Sequence, residues 1–224
     1  MTGREIPELL DELGFSRGST VEAIVTTRRA DGSPNAAPMG IARVGPDLLQ
    51  LRPFRSSETY RNLMRNPEAC VNVTSDPALF LATALKGEME LEPMQPAINR
   101  DLSLDAADAA VFIEALSGNA ASEDRGRFVC RANSITVRRH LPMVFSRGRA
   151  EAVEAVIHGT RIRAFLSMGR SAEAENLIKR IGECREVIRR VSSPDAAEAK
   201  VIEVLEASIE RWRGSHRGNR QDAL

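Results

Sequence analysis

The chain has 224 residues, enough for one large domain or for a medium domain with an appendage, and either buries a core without disulfide or metal support. Its 31 Lys and Arg balance 31 Asp and Glu, and one Tyr and one Trp offer little for base stacking, which argues against nucleic acid or an acidic membrane surface as a partner. Cys70, Cys130 and Cys184 stand far apart with no CxxC pair, no uncharged apolar run has membrane-spanning length, and the start MTGREIPELLDELGF has no apolar signal core, so no metal is expected and the protein is expected to be cytoplasmic.

In chain order, Ile6 to Leu13 places Ile6, Leu9, Leu10 and Leu13 on one helical face. Thr20 to Arg28 is rich in β-branched residues, and the Asp31-Gly32 turn that follows favours positive φ, so a strand and a hairpin are expected, with a second strand over Asn35 to Val44 and a third over Leu48 to Pro53. Ser57 to Met64 reads as a serine-capped helix ended by Asn66-Pro67, Ala69 to Thr74 as a strand, and Asp76-Pro77 as the start of a short helix through Leu85. Gly87 to Leu91 and Arg127 to Val137 look extended. The alanine-rich stretch around Ala106 to Leu116 between them reads as a helical insert, placed within residues 100–118.

Six short β-segments with few helices predict a mainly β, α+β barrel domain over residues 1–147. From Arg149 the period becomes helical. Val153, Val156, Ile157, Thr160 and Ala164 line one face, Leu177, Ile181, Cys184, Ile188 and Val191 a second, and Ala197, Val201, Val204, Leu205, Ser208 and Trp212 a third, with breaks at Gly169-Arg170-Ser171 and Ser192-Ser193-Pro194. A three-helix C-terminal region over 148–213 and a polar tail over 214–224 are expected.

Arg52-Pro53-Phe54-Arg55-Ser56-Ser57-Glu58-Thr59-Tyr60-Arg61-Asn62 sets hydroxyls and guanidinium groups at the end of a strand and the start of a helix. Open N–H groups, directional hydroxyls and bidentate cations together suit a phosphate. A capped surface helix with solvated arginines has the same composition, although Pro53 and Phe54, rigid and apolar between the arginines, weigh against it. Asn35-Ala36-Ala37-Pro38-Met39-Gly40 puts small residues and a proline in a strand, which leaves room for a flat ring against the backbone or marks an edge strand kept short by proline.

Together with NPEACVNVTSDPALF (Asn66 to Phe80) and EAVEAVIHGTRIR (Glu151 to Arg163), these segments resemble, in order and over nearly the whole chain, the domain-of-unknown-function family 447. That family has the FMN-binding split-barrel fold with a helical C-terminal part. The run Ser57, Thr59, Asn62, Leu63 is also similar to the phosphate-binding run of flavin reductase-like barrels. The resemblance implies FMN as cofactor, with Ser57 and Thr59 at the phosphate together with Arg52, Tyr60 and Asn62. It leaves open whether Arg52, Arg55 or Arg61 contributes. It implies Asn35, Ala37 and Met39 at the ring and Asn72 near it. It also implies a homodimer in which Arg138, Arg139, His140 and Arg147 of a second copy complete the site. His140 reads either as a donor to the ligand or as a surface residue, and His158 as a packing residue.

The activity implied is an oxidoreductase with flavin as hydride carrier, in a setting of methanopterin-linked C1 chemistry. The alternative is a non-catalytic module that stores, senses or delivers FMN to a partner protein. No GxGxxG follows a strand, so no dinucleotide-binding domain accompanies it.

Overall fold

The structure, a computed structural model, describes residues 5–18, 20–87, 95–139 and 146–221, with side chains described as far as 214. The predicted strand at Gly87 to Leu91 and the site candidate His140 fall outside the described residues, save Gly87 itself, which lies in a turn. The chain forms two compact units, one of residues 1–74 and 96–142, the other of 75–95 and 143–224.

The first unit begins with α1 (Ile6–Glu12). Strand β1 (Thr20–Arg28) pairs antiparallel with β2 (Pro34–Arg43) across the Asp31-Gly32 turn. Gly32 takes φ +83°, and the Asp31 carboxylate accepts from the Ser33 N–H at 2.9 Å and the Ser33 hydroxyl at 2.7 Å. Next come β3 (Leu48–Leu51), α2 (Glu58–Arg65), β4 (Glu68–Val73), β5 (Ala109–Ala120) and β6 (Gly126–Val137). All pairings are antiparallel, and the order β1-β2-β3-β6-β5-β4 closes because β4 returns to β1. Closure leaves no open sheet edge.

Alternation along each strand sends Ala23, Val25, Ile41, Leu49, Leu51, Val71, Val111, Ile113, Phe128 and Cys130 into one core, where Leu10 of α1, Phe15 and Leu63 of α2 join them. Arg43 fastens α1 to this barrel. Its buried guanidinium donates to Asp11 Oδ1 and to the carbonyls of Pro7, Phe15, Gly45 and Pro46.

The helical insert expected around Ala106 to Leu116 is not there; the segment is an irregular loop that runs into β5 at Ala109. The reason is burial on both sides. Ala109, Ala110 and Val111 are all buried, because Val111 faces the barrel core while Ala110 packs outward with Cys70 and Leu102. A strand covered on both faces loses its alternation and reads as a continuous apolar run.

The second unit holds α3 (Pro77–Ala84), capped by Asp76 with proline at its start, then α4 (Arg147–Ser167), α5 (Ser171–Val191) and α6 (Ala197–Gln221). Thus α3 groups with the helices and not with the barrel, and α6 runs on into the stretch read as a polar tail. The buried face of α4 is Ala152, Ala155, Val156, Gly159 and Ile162, turned slightly from the expected one: Val153 is only half-buried. A Cβ on Gly159 would lie 2.6 Å from Leu205 Cδ1, so the missing side chain lets α6 approach. Among the described residues no helix is long and apolar enough to cross a membrane.

Candidate functional site at the start of helix α2

Helix α2 opens as the serine signature predicts. The Ser57 hydroxyl accepts from the Tyr60 N–H at 3.2 Å and donates its own proton to the Phe54 carbonyl at 2.6 Å. The hydroxyl is therefore committed as a cap. Tyr60 sets its ring edge-on to Phe128, centroids 5.6 Å apart. Gly126 makes room for it, since a Cβ there would fall 2.4 Å from the tyrosine ring. The preceding segment is fixed by the β5–β6 hairpin: the Gly126 N–H donates to Pro53 O at 3.0 Å and the Arg55 N–H to Asp124 O at 2.9 Å. Arg125 stacks on the Phe54 ring at 3.3 Å and donates to the Arg52 carbonyl at 3.0 Å.

The arginines divide by what they already hold. Arg61 donates to Glu58 Oε2 at 2.8 Å and to Ser56 O at 2.9 Å, and that contact holds the Glu58 carboxyl below its ordinary range. Arg55 reaches Glu123 O at 3.3 Å. The guanidinium of Arg52 is exposed and makes no hydrogen bond or ion pair among the described residues. The Ser56 hydroxyl is likewise exposed and without a partner among the described residues, and the N–H of half-buried Glu58 has none there either; the Thr59 N–H also belongs to the first turn, but Thr59 is buried.

Thr59 and Asn62 face the other way, into the end of the barrel. With Thr27 and Asn35, directly opposite each other in the β1–β2 ladder, they form a cluster of four polar side chains, each no more than 1 % exposed. The Asn62 amide donates to Thr27 Oγ1 at 3.0 Å, and the Asn35 amide donates to Thr27 Oγ1 at 3.4 Å and Thr59 Oγ1 at 3.3 Å. Asn62 Oδ1 is buried and accepts no hydrogen bond among the described residues. On β2, Asn35 and Met39 face inward, Met39 against the barrel core, and Ala37 between them shares that side by alternation. The strand's outward face is Ala36, Pro38 and Gly40.

Asn72 sits elsewhere, on the outer face of β4, fully buried. Its amide donates to Ile24 O, Thr26 Oγ1 and Cys70 O, and its oxygen accepts the Leu104 N–H at 2.7 Å. Thr26 donates to Leu102 O, and Arg138 donates to Leu104 O at 2.6 Å and Ser103 Oγ at 2.8 Å. The loop over 97–108 is thereby pinned to the barrel wall, with Leu102 held at φ +73°. Arg139 pairs with Asp108 at 2.8 Å. Two of the arginines read as donors to a second copy are thus engaged within their own chain, and Arg147 starts α4 in the other unit. Burial pushes the Cys70 and Cys130 thiols up to about 12, so neither is a thiolate nucleophile at neutral pH. The sequence reading missed the fourfold cluster and the pinned loop.

A closed six-stranded antiparallel barrel with a capped helix seated over one end defines the class: this is a split-barrel protein. Within that class the chain belongs to the family described as protein of unknown function (DUF447), N-terminal domain, whose model matches residues 21–140. It is similar to an FMN-bound protein of the same family from Methanosarcina mazei, with 24% identity and a TM-score of 0.69 over 88% of this chain and 98% of that one. It is also similar to the 2-nitrobenzoate 2-nitroreductase of Pseudomonas fluorescens, with 19% identity and a TM-score of 0.46 over 62% of this chain and 75% of that one. The styrene monooxygenase flavin reductase of Pseudomonas putida matches at 15% identity and a TM-score of 0.46 over 53% and 80%.

Proposed function

We propose that the protein binds FMN, with the phosphate at the open first turn of α2, and works as an oxidoreductase in which the flavin carries hydride. What carries the reading is a set of donors without partners among the described residues, close together in sequence at the start of α2, in a chain whose family includes an FMN-bound member: the Glu58 N–H, the Ser56 hydroxyl and the Arg52 guanidinium. Such donors fit a monoester dianion, which takes several charge-assisted hydrogen bonds at a helix N-terminus. Ser57 keeps that turn formed and Tyr60 anchors it on Phe128. The outward backbone of β2 at Pro38, which carries no long side chain, suits a flat ring, while Asn35, Ala37 and Met39 support it from behind; at Gly40 the Thr20 and Glu22 side chains already fill that face. Bound there, FMN supplies the hydride and electron transfer itself. The chain's own residues bind and orient it.

Two further parts of the reading are proposals of the same kind. A second copy completes the ring side, supported by Val44, Met64 and Leu116, the exposed large apolar residues of the barrel unit among those described. Among the arginines, Arg52 serves the phosphate, because Arg55 and Arg61 already hold other partners.

The test is reconstitution. Purified protein incubated with FMN and desalted should retain stoichiometric flavin absorbance, and anaerobic NADH or NADPH should bleach it. Retained flavin that no biological donor reduces would favour the storage or delivery module; no retained flavin would overturn FMN binding. Arg52→Ala is expected to weaken FMN about tenfold, the loss of one charge-assisted contact, whereas Arg61→Ala stays within about threefold.

A further inference from the structure

The cluster beneath α2 is costly as a piece of core. Thr27, Asn35, Thr59 and Asn62 occupy positions at the barrel end where apolar side chains of the same size would pack without any polar group to satisfy, and Asn62 Oδ1 is left with no donor among the described residues. Elsewhere on α2 the contact with the barrel is ordinary: Leu63 is buried in the core, and Tyr60 packs against it. Apolar contacts hold a helix down but tolerate sliding and rotation. Hydrogen bonds at fixed angles do not. Here they tie the second and fifth residues of the helix to one hydroxyl, Thr27 Oγ1, either directly from Asn62 or through Asn35, and Asn35 is itself fixed opposite Thr27 by a tight hairpin.

We infer that Thr27, Asn35 and Asn62 are positioning residues that fix the rotation and height of α2, and so set the protein's discrimination between flavin with a 5′-phosphate and flavin without one. This rests on the placement of the phosphate at the start of α2. None of the three touches the ligand in this arrangement. They act through buried Thr59, whose oxygen accepts from Asn35 and whose backbone follows directly on Glu58 in the first turn. A charge-assisted hydrogen bond weakens steeply with angle and distance, so a small tilt of the turn costs phosphate affinity. The ring, held by β2, is indifferent to that tilt. Cost without a packing return, at a spot that determines where the donors point, is what a positioning device looks like.

The experiment measures FMN and riboflavin affinity side by side, by flavin fluorescence quenching, for the full chain and three variants. In the wild type, FMN binds more tightly than riboflavin. Thr27→Val keeps the shape and removes the shared acceptor; FMN affinity falls about tenfold, while riboflavin affinity changes less than about threefold. Thr27→Ser restores the wild-type ratio. Asn62→Leu removes the unpaired oxygen, leaves Tm unchanged or higher, and still loses discrimination, which separates positioning from stability. A wild-type ratio in Thr27→Val or in Asn62→Leu, or an equal loss for both flavins, overturns the inference while FMN binding stands. A wild type that binds both flavins equally removes the phosphate placement and the inference with it; one that binds neither removes FMN binding as well.

Discussion

Thr26 and Thr27 are neighbours on β1 and point to opposite faces of the same barrel wall, and each anchors a polar network with an asparagine. Outside, Thr26 and Asn72 close a network with Cys70, Leu102 and Leu104 in which the amide donors and the oxygen of Asn72 all find partners. Inside, Thr27 and Asn62 form one that is left incomplete, among the described residues, at Asn62 Oδ1. The complete network pins a loop and does nothing that stability does not explain. The incomplete one sits under the helix whose first turn is open to a ligand. The contrast teaches that full satisfaction marks structural use of buried polar groups, and that a residual cost marks a place where geometry matters more than stability.

The largest effect should come from Asn72→Ala. It removes four backbone or side-chain partners at once from a site with no solvent access, and leaves the Leu104 N–H and Thr26 hydroxyl to find others. A loss of about 3–4 kcal/mol of unfolding free energy is expected by denaturant titration, in the range for broken buried networks. Thr26→Val should follow at about 1–2 kcal/mol, because the hydroxyl's donation to Leu102 and acceptance from Asn72 go while the volume stays. Neither variant should alter the ratio of FMN to riboflavin affinity. If Asn72→Ala shifts that ratio while the barrel stays folded, the two networks are one, and the contrast between them fails.

Much of the barrel was legible because local chemistry and global closure agree. The β-branched run at Thr20 to Arg28, the Asp31-Gly32 turn, the Ser57 cap and the Asp76-Pro77 start all became the elements their residues favour. Strand β5 was not legible, because Leu102 and its loop cover the outer side of Ala110 and erase the alternation that would have betrayed a strand. The candidate site was legible as a chemical inventory and not as a geometry. Ser57 caps α2 as its residue type favours, but spacing does not tell that its proton goes to Phe54, that Thr59 turns inward, or that Asn62 reaches Thr27, 35 residues earlier. Which way a threonine turns depends on how a helix docks, and α2 docks on strands that sequence order alone does not bring together.

The smallest effect is a pH dependence confined to the outer network. The Asp101 carboxyl is held below its ordinary value of 3.8, first by the hydrogen bond from the Ser103 hydroxyl, then by the Ser103 N–H, with the Arg138 charge adding to it. A depressed carboxyl contributes stability that is present above its unfolded value and is lost as pH falls through the lower folded value. The loop over 97–108 should therefore open more readily below about pH 4, by less than about 1 kcal/mol because Asp101 is exposed. Hydrogen exchange of the Ser103 and Leu104 amides, corrected for intrinsic rates, reads that opening. The Glu58 carboxyl is depressed by Arg61 in the same direction, so the first turn of α2 should loosen over the same pH range. Asp101→Asn separates them: it keeps an acceptor for Ser103, removes the titration, and should flatten the loop's acid response while leaving that of α2 as it was. A variant that flattens both would mean that loop and helix open as one unit, and the wall between Thr26 and Thr27 would not insulate the two networks.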